Sequence, residues 1–380
     1  MRKKRVITKV TAMLLSFAVV FSMIPGVVFA DEVASSPVTG TTIVSSAAEL
    51  VALGGQEVSG NVELSADIDM IGTAMEPIKS LKGTFEGNGY TVSNLSLSGE
   101  AGSSWKDPNV GLGLIALLDG TVQNLKVDNV KITSSSKSKI YAGAIVGLVE
   151  GTTANVVNCT ASGVVTLPEA STQDGAGGIV GGVLLNGTLN LSGVWSNVDI
   201  TNGKYTGGLL GIAQYAKEIN LENCAAVGDL KVGTGGGIIG WLTSIPVSAK
   251  HVYYGGEISG STKNGFAYNK SYSAQLTAES VYFDSDKNKG SSSWSTFEGV
   301  TTTKGLIGTI DGKSTEELKA LEMAGFAKVD GFNGYPVPEW LATLGNTTHN
   351  ITVKAEKASK VILSKHGADT EMTAGEGGTF

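Results

Sequence analysis

Four times the chain runs glycine, any residue, two branched or leucine-type apolar residues, glycine: at 143–147, 177–181, 207–211 and 236–240. An imperfect copy, Leu112-Gly113-Leu114-Ile115-Ala116, precedes them, and the steps between copies, counted on the last position, are 31, 34, 30 and 29 residues. Around these runs lie short strand-like stretches, with Val62 and Leu64, then Val92, Leu95 and Leu97, then Ala154–Cys159 and Val164-Val165-Thr166, separated by turn signals such as Gly87-Asn88-Gly89. About thirty residues with several short strands and almost no helical period predict one unit of a stack, in which each unit buries its apolar edge only against its neighbours. The expected fold is all-β, a parallel β-helix or β-solenoid, with glycines at the corners for left-handed backbone or close approach.

Helical signals frame the repeats. Ser46-Ala47-Ala48-Glu49 is a capping-box sequence leading into Leu50, Val51 and Leu53 and stopped by Gly54-Gly55. Ser314-Thr315-Glu316-Glu317 is a second, leading into Leu318, Leu321 and Met323 and ending at Gly325. A short capping helix is thus expected at each end, and Tyr335–Trp340 reads as a last edge strand, where proline is tolerated.

The chain opens with Arg2-Lys3-Lys4-Arg5, continues as an apolar stretch broken by Pro25-Gly26, and reaches a small-residue site before Asp31. This reads as a secretory signal peptide over 1–30, with no membrane span in the mature chain. Residues 31–43 read as a flexible lead-in, 44–344 as the solenoid, and 345–380 as a linker with the first strands of an immunoglobulin-like β unit, Ile351-Thr352-Val353 and Val361-Ile362-Leu363. Those last residues are too few for a sandwich, so the unit is expected to be either cut short or a stub.

Composition narrows the partners. Without residues 1–30 the formal charge is −12, from 23 Lys+Arg and 35 Asp+Glu, and no arginine remains. Bidentate recognition of phosphate is absent, which argues against nucleic acid and other polyanions. Cys159 and Cys224 follow asparagine at matching places two units apart, about 10 Å for rungs ~4.8 Å apart, so they are expected to be free, buried thiols.

The opening segment, Glu63-Leu64, Ala66–Asp69, and Phe85–Val92 with Asn94-Leu95, resembles that of bacterial secreted or surface proteins built from GLUG motifs, and the glycine-bounded runs resemble the motif itself. Val281–Asp284, Ser314–Lys319 and Gly334-Tyr335-Pro336 resemble the closing segment of that group, so the likeness covers about 44–344. The chain departs from it at Leu112 and Ala116, which replace bounding glycines, and in its last unit, where the motif fades. The resemblance implies a right-handed parallel β-helix in adhesin-like surface proteins, often joined to immunoglobulin-like modules, and it carries over no catalytic residues.

The candidate chemistry is sparse. Asp67 and Asp69 form an i, i+2 pair near a turn. Asp284, Asp286 and Asn288 make a calcium-like run, but its glycine is misplaced at Gly290 and Ser295 stands where a closing glutamate belongs, so a solvated turn is the better reading. His251, His349 and His366 have no ligands at zinc spacing. Trp241, Tyr253, Tyr254, Tyr268, Tyr272, Tyr282 and Trp294 would form a platform for sugar rings if they shared a face, and otherwise would cap an apolar core. No catalytic, cofactor or metal residue is assigned and no cofactor is expected. The expected function is non-enzymatic adhesion, recognition or a structural stalk, secreted or at the cell surface, with a glycan or a host or envelope protein as partner. The alternative is a carbohydrate-active β-helix hydrolase, which needs two carboxylates converging in a lateral groove.

Overall fold

The structure is a computed structural model that describes residues 37–99, 111–135, 139–168, 175–243, 245–269, 275–289, 296–297, 300–301, 305–344, 360–365 and 368–373. The signal-peptide reading and the strand at Ile351–Val353 lie outside them. Among the described residues the fold is all-β, with parallel pairing throughout its two large sheets and three short helices: α1 (Ala47–Ala52), α2 (Thr315–Lys319) and α3 (Trp340–Leu344).

Each unit of about thirty residues forms a tier hydrogen-bonded to the same segments of the tiers before and after. Val122 pairs with Val156, then Leu191, Leu221, Ala249 and Ala278 in turn, so one inward position is repeated through six tiers. All six are buried, and each valine or leucine so buried is worth about 1.5–3 kcal/mol. A second column, Cys159, Cys224, Val252, Val281 and Ile310, runs beside it. The tier holding Trp195 separates Cys159 from Cys224, and both thiols are free and buried. Burial first of all pushes each up to about 12, and each thiol donates to carbonyls, Cys159 to Val157 O at 3.2 Å and Cys224 to Glu222 O at 3.1 Å.

The glycine-bounded runs link the two sheets. The residues before each run belong to a sheet of nineteen strands and those after it to a sheet of six, so the chain turns sharply inside the motif. Successive turns nest: Ile179 O accepts both Ile145 N and Val146 N, Leu209 O accepts Ile179 N and Val180 N, and Ile238 O accepts Leu209 N and Leu210 N. The eight bounding glycines of the full copies all lie outside the left-handed region. Close approach is therefore the physical reason for them. A Cβ on Gly143 would stand 2.6 Å from Gly181 N and 2.6 Å from Ile179 O, both backbone. The imperfect first copy stacks all the same, with Leu112 opposite Ala142 and Ile115 opposite Val146.

Both capping helices form. Ser46 caps α1 by accepting from Glu49 N, while the Glu49 carboxylate reaches back one residue further than a standard box, to Ser45 N at 2.7 Å. Ser314 and Glu317 make the full reciprocal box at α2, which stops at Lys319, short of the expected Met323. Tyr335–Trp340, expected as a last edge strand, does not add a rung to the stack. Val337–Pro338 pairs antiparallel with Phe326–Ala327, and α3 follows. The reason is an outward column, Trp195, Ala225, Tyr253 and Tyr282, that the stack itself leaves uncovered. Residues 315–344 fold back as a strap over it, packing Leu318, Phe332, Tyr335, Val337 and Leu341 against those rings. Trp340 Nε1 donates to Gly193 O at 2.7 Å and Tyr335 OH to Gly255 O at 3.0 Å, while Tyr253 OH donates to Pro336 O.

Candidate recognition faces

Asparagine recurs at one corner of the tiers. Asn124, Asn158, Gly193, Asn223, His251 and Ser280 occupy one position in six consecutive tiers, and all are left-handed, with φ between 51° and 63°. Asparagine tolerates that conformation because its short amide bonds locally. The side chains then bond up and down the stack: Asn158 Nδ2 to Asn124 Oδ1 at 3.2 Å, and His251 Nδ1 with Asn223 Oδ1 at 3.0 Å. Gly193 interrupts the column, and the strap's Trp340 sits over the gap, where a Cβ on Gly193 would be 3.2 Å from its Cδ1. An in-strand ladder runs parallel, from Asn220 Nδ2 to Asn190 Oδ1 at 2.9 Å and from Asn190 Nδ2 to Asn155 Oδ1 at 2.8 Å.

A third column is acidic and exposed. Asp199, Asp229 and Glu257 each precede an inward aliphatic residue, Ile200, Leu230 and Ile258, and those three pair in register. Asp199 Oδ1 accepts Asp229 N and Asp229 Oδ1 accepts Glu257 N, both at 2.8 Å. Two of the three carboxylates are thus spent on the backbone of the next tier.

The aromatic face lies on the outside of the six-stranded sheet. The residue two before each motif packs diagonally onto the residue just after the motif of the next tier. The Tyr141 ring lies over Gly182, where a Cβ would stand 2.7 Å from its Cδ1; Gly175 leaves room for Ile212; and Tyr205 stacks on Trp241 with centroids 4.6 Å apart and planes 16° from parallel. Trp241 is nearly buried, whereas Tyr205 and Tyr268 remain partly exposed beside it. Burial, and then the neighbouring Tyr268, raises the Tyr205 hydroxyl above its usual range, and Lys204 Nζ stands 5.3 Å from the Tyr205 ring. Two consecutive turn positions nearby, Leu185 and Tyr215, hold bulky side chains in the left-handed region at φ 47° and 53°, and Tyr215 is 65% exposed. Such backbone costs of order 1–3 kcal/mol each.

The expected platform therefore divides. Trp241 and Tyr268 join the outer face of the six-stranded sheet, Tyr253 and Tyr282 lie under the strap, and Tyr254 is buried in the main core, its hydroxyl donating to Gly228 O at 3.0 Å. Tyr272 and Trp294 lie outside the described residues, as do His349, His366, Gly290 and Ser295. Asp67 and Asp69 bind the next tier, Asp67 accepting Thr91 N at 2.8 Å and Asp69 accepting Asn94 Nδ2 at 2.7 Å. The Asn94 amide, then Ile71 N, hold Asp69 below the usual carboxylate range, the opposite of what a general acid needs. The solvated turn expected at Asp284–Asn288 is corrected: Asp284 and Asn288 are buried. Asp284 Oδ1 accepts Asp286 N and Lys287 N at 3.0 Å, its Oδ2 accepts Thr315 Oγ1 at 2.6 Å, and Asn288 bonds Gly256 O and Ile258 N. This run ties the start of α2 to the last tiers. Among the described residues no three His, Cys, Asp or Glu are placed to hold a metal ion, and no helix is long and apolar enough to cross a membrane.

No model of a known protein family matches the chain. A stretch of 116 residues, 30% of the chain, is 37% identical to halomucin of Haloquadratum walsbyi, and it spans about 1% of that protein's length. Among solved structures, the chain is similar to a candidate immunoglobulin A1 protease from Bacteroides ovatus, with a TM-score of 0.56 and 19% identity over 79% of this chain and 92% of that one. At that identity the likeness is one of fold alone.

Proposed function

We propose that the protein is a secreted or cell-surface recognition and spacer module, non-enzymatic, whose tiers wind as a right-handed parallel β-helix of the GLUG-repeat kind. The observation that carries this reading is how the lateral polar groups are used. Asparagine, aspartate and threonine side chains bond to the tier above or below, so the flanks are stiff hydrogen-bonded ladders. A rod of this kind holds a face at a distance and presents it repeatedly. The halomucin likeness supports an extracellular setting, reached through a signal peptide over 1–30. The partner face is the row Tyr205, Trp241 and Tyr268, where partly exposed tyrosines on a fixed indole offer ring surface and hydroxyls to a glycan or an envelope protein.

The alternative, a polysaccharide hydrolase, draws on the stacked carboxylates Asp199, Asp229 and Glu257; the name of the Bacteroides ovatus protein would add a protease. One experiment separates the readings. The secreted chain is screened on a glycan array and, in parallel, incubated with bound polysaccharides and with immunoglobulin A1. Binding that is lost in Tyr205→Ala and Tyr268→Ala without bond cleavage supports recognition. Turnover abolished by Asp229→Asn would overturn it.

A further inference from the structure

The strap carries a chemical weak point at one turn. The chain has five Asn-Gly pairs, the sequence in which a glycine amide can most easily approach the preceding side-chain carbonyl, because no Cβ obstructs it. Four are protected by the stack. Asn88 Nδ2 donates to Leu64 O at 2.8 Å and Gly89 N to Asn124 O at 2.7 Å. Gly187 N, after Asn186, donates to Leu184 O at 2.9 Å. Gly203, after Asn202, is buried and paired with Val232, and Asn264 is fully buried with its amide on Gly235 O. Asn333-Gly334 differs: both residues are exposed, both are left-handed (φ 54° and 79°), and neither the Asn333 carboxamide nor Gly334 N–H has a hydrogen-bond partner among the described residues. A single bond, Tyr335 N to Phe332 O at 3.0 Å, closes the turn.

We propose that Asn333 is a site of spontaneous deamidation and that its conversion loosens the strap. The Gly334 nitrogen attacks the Asn333 Cγ, a C–N bond forms, and ammonia leaves with the amide proton, giving a cyclic succinimide. Water then opens either ring carbonyl, leaving aspartate or isoaspartate. Isoaspartate inserts one extra methylene into the main chain between two anchors of the strap: Phe332, edge-on to Trp195 at 4.8 Å, and Tyr335, bonded to Gly255 O. The anchors cannot both keep their seats, and the column Trp195–Tyr253 is partly uncovered.

The test incubates the folded protein at mildly alkaline pH and follows each Asn-Gly peptide by mass spectrometry, with isoaspartate counted by a repair methyltransferase. Asn333 is expected to convert roughly tenfold faster than Asn186, where the Gly187 N–H bond must also break before cyclisation, and faster still than Asn88, where two bonds must break. The aged protein should be cut faster by protease within 315–344, and Asn333→Gln should abolish both changes. Conversion of Asn88 or Asn186 at a rate equal to Asn333, or an aged strap as resistant as the fresh one, would overturn the proposal. Neither readout depends on any ligand, so failure here is separate from failure of the recognition reading.

Discussion

Replacing Gly177 by alanine tests the claim that the motif glycines exist for close approach. The added methyl would press on Val180 O and stand 2.7 Å from Leu209 O and 2.8 Å from Gly211 N. All three are backbone atoms of its own and the next tier, held by the shared bonds of Leu209 O to Ile179 N and Val180 N. Carbon contacts are best at about 3.5–4.0 Å, and no rotamer change can relieve a clash with backbone. Overpacking of that kind costs about 1–3 kcal/mol, from which about 0.4–1 kcal/mol is offset by the reduced freedom of the unfolded chain. A net loss of about 1–2 kcal/mol is therefore expected. Gly233→Ala is the internal control, since its Cβ would meet only Lys204 O, at 3.7 Å, an ordinary contact at negative φ. It should be neutral or gain about 0.4–1 kcal/mol. Urea unfolding followed by circular dichroism gives both numbers, and hydrogen exchange at Ile145, Ile179 and Leu209 locates the damage. Equal stabilities of the two variants would mean that close approach is not what requires glycine at 177.

Other consequences can be measured. Trp340→Ala removes the indole over Gly193 and its bond to Gly193 O, and should cost about 1–3 kcal/mol, seen as faster proteolysis within 315–344 while the amides of the stack stay protected. Cys159 and Cys224, buried and pushed up to about 12, should resist a thiol reagent at pH 8 in the folded protein and react at once in denaturant. Glu317 is held below its ordinary 4.5, first by Ser314 N and then by the Ser314 hydroxyl. Its folded value is the lower one, so its stabilising effect is present above about 4.5 and is lost as pH falls through that lowered value; exchange at the Ser314 and Glu317 amides should rise on acidification before the core yields. Asn158→Ala should destabilise more than Asn158→Gly, because glycine keeps the left-handed corner (φ 51°) and loses only the ladder bond.

Much of this arrangement was legible in the sequence. The apolar runs at 143–147 through 236–240 announced their stacking, Ser46 and Ser314 announced α1 and α2, and the paired Asn-Cys steps placed Cys159 and Cys224 in one column. The aromatic row was also encoded, at the fixed offsets of two before and one after each motif, but Tyr141 and Tyr205 carry no meaning until the diagonal contact between tiers is known. Asn124, Asn158 and Asn223 likewise read as turn residues, with nothing to show that Asn158 bonds Asn124, and His251 bonds Asn223, from one tier to the next.

Local patterning thus determined the period, the inward faces and the caps, because these follow from which residues can share a buried edge or satisfy a helix terminus. The folding back of 315–344, the burial of Asp284 and Asn288, and the division of the aromatics between the strap and the six-stranded sheet came only from the tertiary structure. Each depends on contacts between segments up to 147 residues apart, such as Trp340 with Gly193, and sequence spacing carries no measure of that distance.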